Sequence, residues 1–433
     1  MRKHRRYKGW IAALRSLALY FLILVILCTS AFAGLLWLSS RDSVLKSGQG
    51  ATEAPISSES PSPVFDREVR GVYIASVHNI NFPTRSGLSS DQLQAELDAI
   101  LDHCHRIGFN TLYFQVRPTG DALYASRIFP VSRYLAAAEG GALPLDPLAY
   151  LVEKATFLGI DVVAWVNPYR ITSSSFPSKE AALASLSEKN PAKQHPDWTV
   201  FYGGRLYYNP ALPSVSDLIA AGLREICEGY GVKGILYDDY FYPYPVSGES
   251  FGDDKAFSDL APQGMSREDW RRENVNRMVK QSYDTVKSVS QRLSFGVSPF
   301  GIWKNASSDP EGSATRGLEA YHSLYCDALA WIRGGYVDYI APQIYWETGY
   351  SAASFDVLVR WWSDRVDGTG VKLFVSHAAY KVEGFALGSK EITDQITLAR
   401  SYRGFGGSIQ YGYAAILANT RNLAGDLQDF YGS

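Results

Sequence analysis

Residues 111–117 (TLYFQVR), 147–158 (PLAYLVEKATFL) and 161–166 (DVVAWV) contain the pattern that decides the fold. The two short runs are rich in β-branched and aromatic residues, as strands are, whereas the apolar residues of the middle segment recur at helical spacing. A strand, a helix and a second strand in this order indicate a parallel sheet that is covered by helices.

The same alternation continues through residues 64–433 and gives eight strand–helix units. The predicted strands are residues 69–76, 111–117, 161–166, 234–238, 294–298, 338–345, 371–376 and 407–411. The predicted helices are residues 89–107, 147–158, 215–230, 267–289, 317–333, 352–365, 391–402 and 423–430. Eight units without a change of order predict an α/β fold of the (β/α)8 TIM-type barrel class. The alternative is an open sheet of about six or seven strands.

The segments after the second, third and fourth predicted strands are long. They comprise residues 118–146, 167–214 and 239–266. They make the domain larger than the roughly 250 residues that are typical of such a barrel. Because barrel enzymes build their active sites from the loops at the C-terminal ends of the strands, we expect these long βα loops to surround the site.

Residues 1–63 differ in composition from the barrel and predict a membrane tether. Residues 1–15 form a basic tail that should stay in the cytoplasm. Residues 16–38 contain no charged side chain and would span about 34 Å as a helix, enough to cross a bilayer core. Residues 39–63 are rich in Ser and Pro and predict a flexible linker. The alternative is secretion after cleavage near Ala33, where the sequence resembles a signal-peptidase site.

The net charge of -2 on the 433 residues conceals a split. Residues 1–63 hold eight Lys/Arg and three Asp/Glu, which leaves 34 and 41 of the totals of 42 and 44 for residues 64–433. An acidic domain is unsuited to binding nucleic acid, whose phosphates are held by clusters of Lys and Arg. Membrane contact is expected through the N-terminal helix, and the sequence predicts no oligomeric state.

Carboxylates lie at two of the predicted strand ends. Asp238 and Asp239 end the fourth strand, and Glu347 follows the sixth. Hydrolysis of a glycosidic bond needs one carboxyl group that protonates the leaving oxygen and another that attacks the sugar carbon or activates water. Because neighbouring residues of a strand point to opposite faces, we expect Asp238 to face the barrel axis as nucleophile or base if the strand continues. Glu347, among aromatic residues, is then the general acid, and Asp239 supports them.

Polar and aromatic side chains at the other strand ends are the predicted substrate-binding residues. Aromatic rings stack on sugars, and amides and arginines bind polar or acidic groups. The set is Arg117, Asn167, Tyr169, Arg170, Tyr240, Tyr242, Phe300, Trp303, Gln343, Tyr345, Trp346 and His377. Structural alternatives stay open: the acidic pair binds a backbone turn or an arginine, Glu347 and His377 are structural, and the aromatic residues 240–244 pack within their loop.

Several segments together resemble motifs of one known family, the glycosyl-hydrolase-like family 10 domain. They are residues 68–73 (EVRGVY), 109–118 (FNTLYFQVRP), 164–170 (AWVNPYR), 237–243 (YDDYFYP), 269–277 (DWRRENVNR), 298–305 (SPFGIWKN) and 340–347 (IAPQIYWE). The resemblance covers residues 67–411 and implies a (β/α)8 barrel with glycoside hydrolase activity. The family includes bacterial envelope proteins that cut peptidoglycan glycan strands stripped of peptides. The resemblance carries no catalytic assignment, so the roles of the three carboxylates rest on chemical reasoning.

These observations together predict a membrane-tethered glycoside hydrolase that acts outside the cytoplasm on a cell-wall glycan and needs no cofactor or metal. Arg117 or Arg170 is expected to bind the free lactyl carboxylate of peptide-stripped muramic acid, since arginine binds carboxylates in bidentate fashion. The alternative is that these arginines pair with Asp238 or Asp239. Two other functions stay open: a non-catalytic glycan-binding barrel, and a barrel enzyme of another polysaccharide-modifying class, such as a deacetylase or a lyase.

Overall fold

Eight parallel strands close into a barrel in the computed structural model, which describes residues 64–432. The strands in chain order are β1 (Val69–Ile74), β2 (Thr111–Arg117), β3 (Asp161–Val166), β4 (Thr199–Tyr202), β5 (Arg205–Tyr208), β6 (Gly234–Tyr237), β7 (Ser294–Val297), β8 (Tyr339–Ile340), β9 (Lys372–Ala378) and β10 (Phe405–Tyr411). Strands β4 and β5 form a separate antiparallel hairpin. The other eight pair in chain order, and β10 pairs with β1. The closed ring confirms the predicted barrel and excludes the open sheet.

The predictions of a cytoplasmic tail, a membrane helix and a linker fall on residues 1–63, outside the described residues. Between residues 64 and 432, no helix combines the length and the apolar character that crossing a membrane requires. The three N-terminal segments therefore stay predictions from the sequence.

Helices follow the barrel strands and cover the outside of the ring. They are α1 (Ser90–Ile107), α2 (Pro147–Phe157), α3 (Lys179–Ala184), α4 (Pro191–Gln194), α5 (Pro213–Gly229), α6 (Asp254–Leu260), α7 (Arg267–Val289), α8 (Ala320–Ser323), α9 (Ala328–Gly334), α10 (Phe355–Val366), α11 (Ser389–Arg400), α12 (Tyr413–Leu417) and α13 (Leu423–Gly432). Short 3₁₀ helices span Val77–Asn79, Pro196–Trp198, Ala379–Lys381 and Thr420–Asn422.

Helix α1 illustrates how the sequence sets these boundaries. Ser89 and Gln92 form a reciprocal capping box at its start, and Gly108 ends it in the left-handed conformation. One face of the helix is apolar and buried, with Leu93, Leu97, Ile100, Leu101 and Cys104. The spacing of these residues is the helical periodicity that predicts an amphipathic helix from the sequence.

Two predicted elements are shorter in the structure. The strand predicted at residues 338–345 contains only the two residues of β8, because Pro342 has no N–H to donate to the ladder. Beyond Pro342, contact with the neighbouring strand ends continues through single bonds, such as Gln343 N–H to the Pro299 carbonyl at 2.9 Å. The helix predicted at residues 317–333 is divided into α8 and α9, and Tyr325 between them has a φ of +52°, which lies outside the right-handed α-helical region.

Aromatic side chains from alternate strand positions fill the interior of the barrel. Five of them form one buried cluster with smaller residues: Tyr73, Tyr113, Trp165, Tyr339 and Phe374. Phe65 closes the N-terminal end, with its ring centroid 5.5 Å from that of Tyr339 and 4.9 Å from that of Phe374. Gly296 on β7 provides the space for Tyr339, because a Cβ there would lie 2.2 Å from the tyrosine ring. The N-terminal part of the barrel is therefore packed with side chains.

The long loops lie at the other end of the barrel. The loop after β3 contains α3, α4 and the β4–β5 hairpin, and the loop after β6 contains α6. The loop after β2 is largely irregular, with an isolated bridge between Ala122 and Val131. These loops follow the C-terminal ends of the strands, which is where the sequence predicts a site.

Candidate active site

A cavity of about 310 Å³ lies at the C-terminal end of the barrel. Its lining comes from the ends of at least six strands and from the loops that follow them. The lining residues are Tyr73, Trp165, Asp238, Asp239, Tyr240, Tyr244, Ser298, Phe300, Gln343, Tyr345, Trp346, Tyr380, Lys381 and Tyr411. The set combines two carboxylates, one lysine and many aromatic rings, which is a composition suited to binding a sugar.

Asp238 lines the cavity and is only 4% exposed. Its Oδ1 accepts a hydrogen bond from Asn167 Nδ2 at 2.9 Å, and its Oδ2 accepts one from Trp165 Nε1 at 3.1 Å. Burial raises the pKa of Asp238 to about 7, and the charge of Asp239 adds to this, while the charge of Arg170 opposes it. A carboxyl group with this pKa carries a proton in a large fraction of molecules near neutral pH, as a general acid must.

Asp239 is equally buried and lines the same cavity. Gln343 Nε2 donates to its Oδ1 at 3.0 Å, and the Tyr244 hydroxyl donates to its Oδ2. Burial raises the pKa of Asp239, and these two donors oppose the rise. The two aspartates share the cavity because β6 ends at Tyr237, so the alternation of side chains along a strand no longer applies to them.

Aromatic rings form the walls around the aspartates. The Tyr73 ring lies 5.3 Å from that of Trp165 and 5.8 Å from that of Tyr411, between ring centroids. Tyr345 stacks on Tyr411 at 5.8 Å with an angle of 12° between the ring planes, and Tyr380 packs edge-on against both. These rings pack against one another along the cavity wall.

Five of the predicted substrate-binding residues line the cavity, and a sixth supports it. The lining residues are Tyr240, Phe300, Gln343, Tyr345 and Trp346. Asn167 is fully buried and holds Asp238 through its side-chain amide. The Asn167 Oδ1 also accepts a hydrogen bond from the Arg170 N–H at 2.8 Å, which fixes the orientation of its side-chain amide.

The two predicted arginines do not line the cavity. Arg117 is 1% exposed, and its guanidinium carbon lies 3.6 Å from the centre of the Phe129 ring. Arg170 donates from Nε to the Pro118 carbonyl at 2.9 Å and lies over the Tyr240 ring. The pairing register of β2 shifts between Gln115 and Arg117, and the Arg117 side chain packs outside the barrel, against Phe129 and next to Gly222 of α5. Arg170 acts on Asp238 through its charge, which lowers the pKa of that carboxyl.

Four other predicted binding residues are buried in the protein core, outside the cavity lining. Tyr169 is fully buried. Tyr242 packs against Phe251 and Tyr325, and Trp303 donates from Nε1 to Asp327 at 3.2 Å. His377 lies on β9, with Nδ1 3.0 Å from Gln395 Oε1 of α11 and Nε2 3.1 Å from Ser408 Oγ of β10. These contacts agree with the alternative reading of His377 as a structural histidine.

Glu347 lies in a second cavity of about 430 Å³, next to the first. This cavity is also lined by Tyr350, Gly384 and Phe385, and it shares Tyr345, Trp346, Tyr380 and Lys381 with the first. Glu347 Oε1 accepts a hydrogen bond from the Ala386 N–H at 2.6 Å. Among the residues between 64 and 432 that line the central cavity, the carboxylates are Asp238 and Asp239. The structure thus does not bring Glu347 into one cavity with them, and its role as general acid stays a prediction.

Sequence reasoning gave no role to several lining residues. The sequence could have indicated Tyr73, because the alternation along β1 places it on the inward face, two residues after Gly71. Tyr380 and Lys381 lie in a 3₁₀ helix after β9, where no periodic pattern marks them. Lys381 donates from Nζ to the Tyr345 carbonyl at 2.9 Å, and partial burial lowers its pKa. Lys381 lines the cavity, whereas the two arginines do not.

Comparison with known proteins identifies the family of this chain. Residues 68–390 match the family model described as glycosyl hydrolase-like 10. The chain belongs to the glycosyl hydrolase-like 10 family. This confirms the family that the sequence motifs predict and, with it, the enzyme class, a glycosyl hydrolase.

Two relatives of this glycosyl hydrolase-like 10 protein cover most of its length. "Glycosyl hydrolase YngK" of Bacillus subtilis is 40% identical over 373 residues, which are 84% of this chain and 72% of the relative. "Glycosyl hydrolase DigH" of Escherichia coli K12 is 38% identical over 325 residues, which are 72% of this chain and 74% of the relative. The glycoside hydrolase domain of PgaB (BpsB) from Bordetella bronchiseptica has the same fold, with a TM-score of 0.54 at 13% identity over 85% of this chain and 99% of that domain.

Proposed function

We propose that this glycosyl hydrolase-like 10 protein cleaves O-glycosidic bonds in peptidoglycan glycan strands that have lost their peptides. One observation carries the proposal: two buried aspartates, Asp238 and Asp239, share a cavity with aromatic walls at the C-terminal end of a barrel. Two carboxyl groups in different protonation states are what glycosidic hydrolysis requires.

The environments of the two aspartates support different roles. Asp238, whose pKa burial raises to about 7, protonates the leaving oxygen as the glycosidic bond breaks. We assign the ionised role to Asp239, because the Tyr244 hydroxyl and the Gln343 amide both donate to it. Each of these donors favours the charged form of the carboxylate. This assignment gives Asp238 the acid role that the sequence interpretation gave to Glu347.

The cavity also suits the sugars of peptidoglycan. Tyr345, Tyr411 and Tyr380 present ring faces and edges for sugar stacking. Lys381 lines both cavities and supplies a positive charge. A muramic acid that has lost its peptide carries a free lactyl carboxylate, which this ammonium group can bind. Lys381 takes the place of Arg117 and Arg170 in this part of the proposal.

The sequence of residues 1–63 supports a location at the cell surface. The basic tail and the uncharged segment at residues 16–38 favour a single-pass anchor with its C-terminal side outside the cytoplasm. Protease added to intact protoplasts should then remove the barrel domain and leave the N-terminus protected. A soluble product in the medium that begins at Gly34 would show cleavage and secretion.

The activity is tested with the full-length chain on purified glycan, by release of reducing ends and by mass spectrometry of the products. Peptide-free strands should be cut faster than intact peptidoglycan. Asp238→Asn and Asp239→Asn should each lower the turnover number by about 10²–10⁴-fold while glycan binding persists. Binding without new reducing ends in the wild type would favour a glycan-binding barrel, and loss of acetyl groups without chain cleavage would favour a deacetylase.

Glu347→Gln is the matched variant for the assignment of the acid. It also removes one carboxylate and keeps its shape, and we expect it to retain turnover, because Glu347 lies in the neighbouring cavity. A nitrophenyl glycoside with a good leaving group should partly restore the variant that has lost the acid. If this substrate restores the turnover of Glu347→Gln instead of that of Asp238→Asn, the general acid is Glu347.

A further inference from the structure

The arrangement of the two aspartates poses a question about the nucleophile. In the two-carboxylate mechanisms the groups flank the scissile bond, about 5–5.5 Å apart in retaining enzymes and about 6.5–9.5 Å apart in inverting ones. Asp238 and Asp239 are consecutive residues, and consecutive Cα atoms are about 3.8 Å apart. Both carboxylates therefore extend from the same strand end, that of β6. Among the described residues that line this cavity, Asp238 and Asp239 are the carboxylates, and Glu347 lines the neighbouring cavity.

All four carboxylate oxygens of this pair already accept hydrogen bonds. Asp238 is held by Asn167 and Trp165, and Asp239 by Gln343 and Tyr244. The donors come from two strand ends, those of β3 and β8, and from the loop after β6, so neither carboxylate is free to turn toward a sugar carbon. Each oxygen keeps a second lone pair, which can accept one more N–H or exchange a proton. Hydrogen bonding of this kind suits orientation and proton transfer better than nucleophilic attack.

We infer that the 2-acetamido group of the substrate is the nucleophile, with Asp239 accepting a hydrogen bond from its N–H and Asp238 protonating the leaving oxygen. The inference rests on the proposed function, because the sugars of peptidoglycan carry this group. Substrate assistance is a known exception to the two-carboxylate mechanism of glycosidases. Trp165, Tyr73 and Tyr411 pack edge-on in the cavity lining and provide apolar surface for the acetyl methyl group.

The reaction balances without any other reagent. The acetamido carbonyl oxygen bonds to C1 of the sugar as the bond from C1 to the leaving oxygen breaks, and the leaving oxygen takes the proton of Asp238. The resulting oxazolinium ring keeps its N–H, which donates to the Asp239 carboxylate. Water then attacks C1 and reopens the ring, and the proton of this water passes to Asp238. The two displacements at C1 together retain the configuration of the substrate.

Changing the acyl group of the glycan tests the inference with the wild-type full-length chain. Peptide-free glycan is de-N-acetylated and then re-acylated with either acetyl or trifluoroacetyl groups. The two products have a similar shape, but fluorine withdraws electrons from the carbonyl oxygen. The acetyl glycan should be cut at the original rate, whereas the turnover number on the trifluoroacetyl and free-amine glycans should fall by at least about 10²-fold, because the neighbouring nucleophile is weakened or absent.

Three results separate the possible failures. Equal turnover on acetyl and trifluoroacetyl glycan would overturn the inference and assign the attack to a protein carboxylate or to water. Inversion of configuration in the first product, followed by nuclear magnetic resonance, would overturn it as well. Failure to cut any form of the glycan would instead refute the proposed function on which the inference rests.

Discussion

At the scale of single residues, the end of β6 at Tyr237 decides the chemistry of the site. One more residue of regular strand would turn Asp238 and Asp239 to opposite faces of the barrel wall. Because the strand stops there, both carboxylates lie in the cavity, and each is held by two donors. Burial then raises the pKa values of both.

The hydrogen bond from Trp165 to Asp238 leads to the first prediction. It lowers the pKa of Asp238, so Trp165→Phe should raise that pKa. If protonated Asp238 is the acid, turnover falls as the pH rises through its pKa, and the variant should keep its activity to higher pH than the wild type. A hydrogen bond to a charged group is worth about 1.5–3 kcal/mol, enough for a measurable shift. The measurement is the pH dependence of the turnover number.

Trp303→Phe is the matched control for this prediction. Trp303 is also a buried tryptophan whose Nε1 donates to an aspartate, Asp327, but it does not line the cavity. Its loss should leave the alkaline limb of the activity profile in place. Identical profiles for Trp165→Phe and the wild type would show that Asp238 does not set this limb.

At the scale of secondary structure, His377 connects β9 with β10 and α11. Its ring nitrogens lie near Ser408 on β10 and Gln395 on α11, and burial lowers its pKa to about 4. The unfolded chain takes up this proton near pH 6.5, so the unfolded state binds more protons between these two values. The contribution of His377 to stability is therefore complete above about pH 6.5 and is lost as the pH falls toward about 4.

The second prediction follows from this linkage. His377→Gln should lower the free energy of unfolding at neutral pH, but it should lose less stability than the wild type between about pH 7 and about pH 5. Denaturant unfolding at the two pH values measures the difference. His105→Gln, at an exposed position of α1, is the control and should behave as the wild type. A parallel decline in His377→Gln and the wild type would contradict the linkage.

The sequence predicts the elements better than it predicts their contacts. The helical spacing and the capping residues of α1 are local, and so are the apolar runs of the strands, which is why the barrel follows from the sequence. The side-chain directions at Arg117, Trp303 and His377 depend on where each strand ends and what packs outside it. Local pattern places all three at strand ends, but only the assembled barrel shows that they point away from the cavity.

At the scale of the whole molecule, the barrel interior depends on one close approach. Gly296 on β7 faces the Tyr339 ring of β8, and both lie inside the ring of strands. The alternation along the short strand β7 predicts that Gly296 faces inward. It does not show that a tyrosine from another strand fills the space next to this glycine. The fit of side chains from different strands is a property of the closed ring, which local sequence does not contain.

The third prediction concerns this approach. Gly296→Ala places a Cβ 2.2 Å from the Tyr339 ring, so the ring or the strand must shift. Overpacking of this kind costs about 1–3 kcal/mol, and the free energy of unfolding should fall by at least that amount. Gly229→Ala, at the end of α5 with no atom within 4 Å of its added Cβ, should cost nothing. Equal stability of the two variants would show that the barrel interior accommodates an added methyl group at residue 296.

The brevity of β8 has a consequence for how the enzyme responds to heat. Regions with few backbone hydrogen bonds open at a lower free energy than the rest of a protein. The two residues of β8 form such a region in the barrel. Gln343, three residues after the end of β8, donates to Asp239. Local opening there would release the aspartate while the other strands keep their amide protons protected from exchange. We therefore expect heating to abolish the activity reversibly at temperatures below that at which the barrel unfolds.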